Sequence, residues 1–282
     1  MGGLITTCAR AVEVARAYPR SLYQGCRNRG LFDEVETYCT FIGCSRSGKS
    51  LVAAFLDAHP AMIFADELGA LKYVHAGFNR GQIYHLLLEN SRKCEKAGRR
   101  SARYAYQVPG QWQGKSDHLR VIGDNKGEGA VLRLHARPWL LRRLRHLCGV
   151  RTAFIHVVRN PYDNISALLG RRDLDMDLDG SIEHYFSVCR ATVDVRNRLA
   201  EDSEVRELRY ESLVKNPRKT LRGLCHFLGE DASDRYLDDC VSILFRSPCQ
   251  NRHEVEWSPE QIDAVQARIE QFGFLQGYSF AG

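Results

Sequence analysis

The segment Gly43-Cys-Ser-Arg-Ser-Gly-Lys-Ser50 matches the pattern GxxxxGK[ST] in full. Its chemistry is phosphate binding. Glycines let the backbone turn tightly, so that successive N–H groups face phosphate oxygens. A helix starting at the end of the loop adds its positive terminus. Lys49 supplies a point charge and Ser50 a hydroxyl. Read literally, the pattern belongs to an ATP or GTP hydrolase or kinase, which also needs an acid at a strand end to hold Mg²⁺. Asp124, closing Val121-Ile-Gly-Asp, is placed for that. The more apolar strand at 152–158 ends instead in Arg159, which suits a second anion and not a metal. This is a first hint that two separated phosphates are held.

Such a loop needs a strand before it and a helix after it. Residues 38–42 are β-prone and uncharged, and residues 50–59 are apolar and stopped by Pro60. Further strands are expected at 119–123, 152–158 and 205–210. Helices are expected at 138–147, 164–169, 181–200, from the Asn216-Pro217 cap to Gly229, and after the Ser258–Gln261 capping box. Residues 79–118 read as basic and loop-rich. There Arg92, Lys93, Lys96, Arg99, Arg100 and Arg103 face only Glu95 nearby, as a solvated helix face, a loop or a substrate lid would. Strands alternating with helices argue for an α/β domain with a parallel sheet covered on both faces. The expected division is an N-terminal helical extension at 1–37 and one domain at 38–282.

The segment 43–60, with its helix running into His59-Pro60, resembles the 5′-phosphosulfate loop of sulfotransferases that use 3′-phosphoadenosine 5′-phosphosulfate (PAPS). It is most similar to tyrosylprotein sulfotransferases and bacterial relatives. Phe154-IHVVRNPYDNIS-Ser166 resembles their 3′-phosphate loop. Leu208-RYESLVKNPRKTLRGLCHFLG-Gly229 resembles their RYExLxxxP segment. The three stand in the family's order and span roughly 38–230. The resemblance implies a P-loop kinase-like three-layer fold with PAPS as co-substrate. Arg46, Ser47, Gly48, Lys49 and Ser50 would cradle the 5′-phosphosulfate, and Arg159 would hold the 3′-phosphate. Tyr210 and Arg171 would contact the nucleotide, Glu67 would be the catalytic base, and Lys126 would lie near the sulfuryl group.

Two positions depart from the family. Lys49 replaces a frequent Thr, which keeps a kinase alternative open. Ala167 stands where a second 3′-phosphate ligand is usual, with Ser166 one residue earlier as its substitute. Ser247 and Arg252 occupy the place of a cofactor-covering loop. The acceptor is unidentified, and a degenerate nucleotide-binding protein is a third alternative. Local pairings compete with some assignments: Arg159 with Asp163, Glu67 with a surface cation, and His59 as a packed or capping residue.

Composition excludes other classes. The 282 residues carry a net charge of +6, too mild for a duplex-DNA binder. Of the 40 cations, 32 are Arg, whose planar fork grips anions. No run of 18 apolar residues predicts a transmembrane helix. Ten cysteines without regular spacing fit a reduced, cytosolic protein, and no metal is expected. Gly2 and Thr6 match a short N-myristoylation pattern. Asp175-Met-Asp-Leu-Asp-Gly180 opens like a calcium loop but has Phe186 at its twelfth position, so it is expected to be a solvated loop.

Overall fold

A computed structural model describes residues 2–99, 104–170, 175–199, 204–245 and 247–282. Five strands form one sheet: β1 (Thr37–Ile42), β2 (Met62–Ala65), β3 (Val121–Asp124), β4 (Arg151–Val158) and β5 (Val205–Arg209). They pair in parallel in the order β2-β3-β1-β4-β5. The helices in chain order are α1 (Gly2–Arg27), α2 (Arg29–Phe32), α3 (Lys49–Asp57), α4 (Leu71–His75), α5 (Arg80–Lys96), α6 (Glu128–Ala136) and α7 (Trp139–Cys148). Then follow α8 (Pro161–Leu168), α9 (Leu178–Arg196), α10 (Tyr210–Lys215), α11 (Pro217–Phe227), α12 (Asp234–Ser242) and α13 (Pro259–Ile269).

Alternation along the strands sends side chains to both faces. Tyr38, Ile42, Ile63, Ile122 and Phe154 pack on Ile83, Leu87, Leu134, Leu140 and Val195, from α5, α6, α7 and α9. Cys39, Phe41, Phe64, Ala153 and Ile155 pack on Val52, Phe55, Leu213, Leu224 and Leu237, from α3 and α10 to α12. These two apolar layers make the three-layer α/β arrangement expected from the sequence. A third cluster joins α8, α9 and α13 through Tyr162, Ile165, Phe186, Val265 and Ile269.

Several elements go beyond the sequence reading, among them α4, α6 and α12, and two correct it. Of the segment expected to be loop-rich, residues 80–96 are a helix, while the described residues 104–118 are loop. Asn79 and Gln82 form a reciprocal capping box, and Ile83, Tyr84, Leu87 and Leu88 are buried behind it. The short β2 was not foreseen, because four buried residues show no period. The basic run then divides. Arg92, Lys93 and Lys96 are exposed, while Arg99 is buried. Its guanidinium bonds the Asp57 carboxylate and Ser91 Oγ (3.1 Å). Asp57 also accepts from Phe64 N–H at 2.6 Å and Gly114 N–H at 3.0 Å. The pair is tolerable inside because further hydrogen bonds reach both groups, although Arg99 Nε has no partner among the described residues. Arg100 and Arg103 lie outside the described residues. The acidic run at 175–180 is a helix start: Asp177 Oδ1 accepts from Gly180 N–H at 2.8 Å and caps α9.

Candidate functional site

All five strands deliver a candidate residue within two positions of their carboxyl ends. β1 leads into Gly43, β2 into Glu67, β3 into Lys126, β4 into Arg159 and β5 into Tyr210. In an open parallel sheet this edge, at the point where strand order reverses, is where ligands bind. Asp66, Glu67, Asn125 and Lys126 meet across the ends of neighbouring β2 and β3.

The loop at 43–50 is held from outside. Gly48 has φ 97°, and a Cβ there would lie 2.5 Å from the Tyr210 ring, so only glycine fits. Arg46 also has positive φ, at 63°. Such strain in a residue with a side chain persists only where neighbours enforce it. Ser47 Oγ donates to Cys44 O at 3.0 Å. Ser45 is bracketed: its N–H donates to Glu128 Oε2 at 3.0 Å, and its carbonyl accepts from Asn164 Nδ2 at 2.8 Å. His184 Nε2 lies 3.2 Å from the other Glu128 oxygen. Lys49 and Ser50 open α3, whose N-terminal end therefore faces the loop.

Glu67 stands between two lysines, with Lys126 Nζ at 2.9 Å and Lys49 Nζ at 4.0 Å. Its backbone is left-handed (φ 52°), and its N–H donates to Asn125 Oδ1 at 2.6 Å. Asn125 in turn donates to Asp66 Oδ1 at 2.7 Å. Lys49 is only 3% exposed, and its burial lowers its pKa against the opposing pull of Glu67 and Glu128. Its stem lies on Gly127, where a Cβ would come within 2.0 Å. The cluster thus brings one carboxylate and two lysines together beside the loop at 43–50.

Arg159 is buried under the segment after residue 248. Its Nη2 donates to Cys249 O and to Asn251 Oδ1 (2.7 Å), and its Nη1 to Arg46 O at 3.3 Å. The guanidinium lies 5.5 Å from the Tyr210 ring centroid. Its Nε has no hydrogen-bond partner among the described residues. The ion pair with Asp163 falls to Arg252: Arg252 Nη1 lies 2.8 Å from Asp163 Oδ2, and both are buried. The structure therefore uses Arg252 to pin this segment to α8. Ser166 Oγ accepts from Trp257 Nε1 at 3.2 Å and keeps its own proton to donate. Ser247 is exposed. Arg171 lies outside the described residues.

His59 is a packing and capping residue. Its Nδ1 accepts from Ala61 N–H at 3.2 Å, and Nε2–H donates to Asp231 O at 2.8 Å. Residues that sequence reasoning missed are Asn125, Asn164, Glu128 and the pair Asn160–Glu211, where Asn160 N–H donates to Glu211 Oε1 at 2.8 Å. Asn160, Asn164 and Glu211 lie inside segments already singled out, at 154–166 and 208–229, while Asn125 and Glu128 only neighbour Asp124 and Lys126.

Asp124 Oδ2 accepts from Ala70 N–H at 2.6 Å, which fixes the turn after Glu67, while Oδ1 is buried with no hydrogen-bond partner among the described residues. Burial pushes its pKa up to about 6. An acid raised in the folded state contributes full stability below its unfolded value near 3.9, and loses it as pH rises through the folded value. Asp124→Asn, which keeps an acceptor for Ala70, should therefore unfold at a higher temperature than wild type at pH 8. The gain should be at most on the order of 3 kcal/mol and should vanish toward pH 4, as thermal melts across pH will show.

The sulfotransferase family model matches residues 40–234. Among solved structures, sulfotransferase STF9 from Mycobacterium avium superposes with a TM-score of 0.54 at 12% identity, covering 97% of this chain and 86% of that one. A sulfotransferase domain from the curacin biosynthetic pathway gives 0.51 at 16% identity, covering 84% and 96%. No curated protein sequence matches at a significant level. The family match covers both the loop at 43–50 and Arg159, and the solved structures share the fold: this chain belongs to the sulfotransferase family.

Proposed function

We propose that the chain transfers the sulfuryl group of PAPS to a hydroxyl or amine acceptor. The observation that supports this reading is the contact between the loop at 43–50 and the β4 end, Arg159 Nη1 donating to Arg46 O at 3.3 Å. One nucleotide with phosphates at both ends of its ribose would occupy both loops. The 5′-phosphosulfate would lie on residues 46–50, at the N-terminal end of α3. The 3′-phosphate would take over the Arg159 donors that Cys249 O and Asn251 Oδ1 now engage. Tyr210 would pack on the nucleotide side, and Ser166 would donate its proton to the 3′-phosphate.

In the transfer, the acceptor oxygen forms a new S–O bond while the S–O bond to the 5′-phosphate breaks. The acceptor proton goes to Glu67, and 3′-phosphoadenosine 5′-phosphate (PAP) leaves with the bond's electron pair. Charge grows on the bridging oxygen and on the sulfuryl oxygens. Lys49, Lys126 and Arg46 are the cations at hand to stabilise it. A carboxylate held between two lysines is fixed in position, as a base must be. The free cysteines among the described residues support a cytosolic setting.

Calorimetry with PAP and AMP tests the reading. PAP is expected to bind at least about tenfold more tightly, because one charge-assisted bidentate contact adds about 1.5–3 kcal/mol. Equal affinities would remove the 3′-phosphate site, and with it the proposal. The Lys49-Ser50 pair favours a second reading, a Mg²⁺-dependent ATP or GTP kinase. That reading requires metal-dependent ATP binding and turnover lost in Asp124→Asn, whereas sulfuryl transfer should survive this substitution.

A further inference from the structure

Helix α1 is apolar on two opposite sides. Its inner side packs on α5. Ser21 and Gly25 are buried, and Gln82 donates to Tyr18 O at 3.1 Å. A Cβ on Gly25 would meet the Gly81 backbone at 2.7 Å. The outer side carries Val12, Ala15, Pro19, Leu22, Tyr23 and Cys26, all exposed. Steps of three and four residues line these up on one face of a helix. Val12, Leu22 and Tyr23 are 48%, 40% and 63% exposed. Together with Tyr18 they make up half of the large hydrophobic side chains exposed among the described residues.

Charge is arranged along the same stripe. Arg16, Arg20 and Arg27 follow one flank at helical spacing. Arg20 pairs with Glu89 on α5, and Arg27 lies over the Tyr23 ring at 6.0 Å. Glu13, the acid of this helix, is drawn to the protein side by Lys72 Nζ (2.9 Å) and Tyr73 OH (3.0 Å) on α4. The outward face is thus apolar, aromatic and cationic. No described helix is long and apolar enough to cross a membrane.

From this juxtaposition we infer that α1 docks the protein on an anionic lipid surface, lying in the plane of the headgroups with its outer stripe among the acyl chains. An interfacial helix needs a narrow apolar stripe, cations beside it to meet anionic headgroups, and an amphipathic ring at the boundary. Val12 with Leu22, Arg16 with Arg27, and Tyr23 fill those roles. A second copy of the chain or another protein would cover the stripe, but the cores of such interfaces are depleted of charge and have no use for a cationic edge. The inference is independent of the reaction the site performs. It does place that reaction near a bilayer, since α4, which holds Glu13, begins four residues after Glu67.

Sedimentation of the full chain with vesicles tests it, using phosphatidylcholine alone or with about 30% phosphatidylserine. Binding is expected to the anionic vesicles. Arg16→Gln with Arg27→Gln should weaken it about 30-fold, at roughly fivefold per arginine, leaving the weaker binding to neutral vesicles unchanged. Leu22→Ser with Tyr23→Ser should weaken binding to both by about tenfold or more. Thermal melts and PAP affinity of these surface variants should match wild type, showing an intact fold. Absence of vesicle binding, or variants that bind like wild type, would overturn the inference. So would a dimer in light scattering that Leu22→Ser with Tyr23→Ser separates, because the stripe would then be an interface between copies.

Discussion

Glu67→Gln should lower the rate of sulfuryl transfer by about 10²–10⁴-fold, the ordinary contribution of a positioned general base. The same substitution should leave PAP affinity unchanged or raise it. The reason is electrostatic. The Glu67 carboxylate lies 2.9 Å from Lys126 Nζ and 4.0 Å from Lys49 Nζ, so it competes with any incoming anion for both cations. Glutamine keeps the shape and the hydrogen-bond acceptor but removes that competition. Slower chemistry with equal or tighter nucleotide binding is a signature that a folding defect cannot produce. Single-turnover release of PAP from PAPS, alongside calorimetry with PAP, reads both quantities. Loss of rate and affinity together would instead make Glu67 a structural partner of the lysines. Glu67→Asp should recover part of the rate, because aspartate tolerates the left-handed backbone (φ 52°) that this position requires.

The parts of the site legible in the sequence are those whose chemistry is local. Gly43 and Gly48 are needed by the backbone of the phosphate loop itself, and Lys49 and Ser50 by the start of the helix that follows, so a contiguous pattern reveals them. Arg159 was visible because a long apolar strand ends on it. Glu67 and Lys126 came only through resemblance. What makes them a unit is the pairing of β2 with β3, and β2 is four residues long with no readable period. Asn125, Asn164 and Glu128 were invisible for the same reason. Each acts on a backbone group 58 or more residues away, and only the fold selects that partner. Arg252 shows the converse. Its type and place fitted a nucleotide ligand, yet Asp163 claims its guanidinium inside the protein. In the basic run, Arg99 reads from sequence like its exposed neighbours, but a buried carboxylate at Asp57 draws it inside. Composition reports how many cations a chain carries. Which of them face an anionic ligand depends on where the buried acids lie.

Arg159→Ala should cost PAP about 10–100-fold in affinity while leaving AMP nearly unaffected, because the lost contact is a charge-assisted fork on a phosphate that AMP lacks. Arg159 also anchors the segment after residue 248 through Cys249 O and Asn251 Oδ1, so its removal loosens a cover over the site. A loosened cover would weaken both nucleotides alike. Asn251→Ala separates the two effects: it breaks one anchor but keeps the charge, and should change the affinities for PAP and AMP by the same small factor. Arg159→Lys should recover only part of the preference for PAP, because an ammonium restores charge without the planar pair of donors or the stacking on Tyr210. The ratio of PAP to AMP affinity across these three variants, measured by calorimetry in one buffer at fixed salt, isolates the 3′-phosphate contact. A ratio that stays at its wild-type value in Arg159→Ala would place the 3′-phosphate elsewhere in the crevice and leave Arg159 as the clasp of the covering segment.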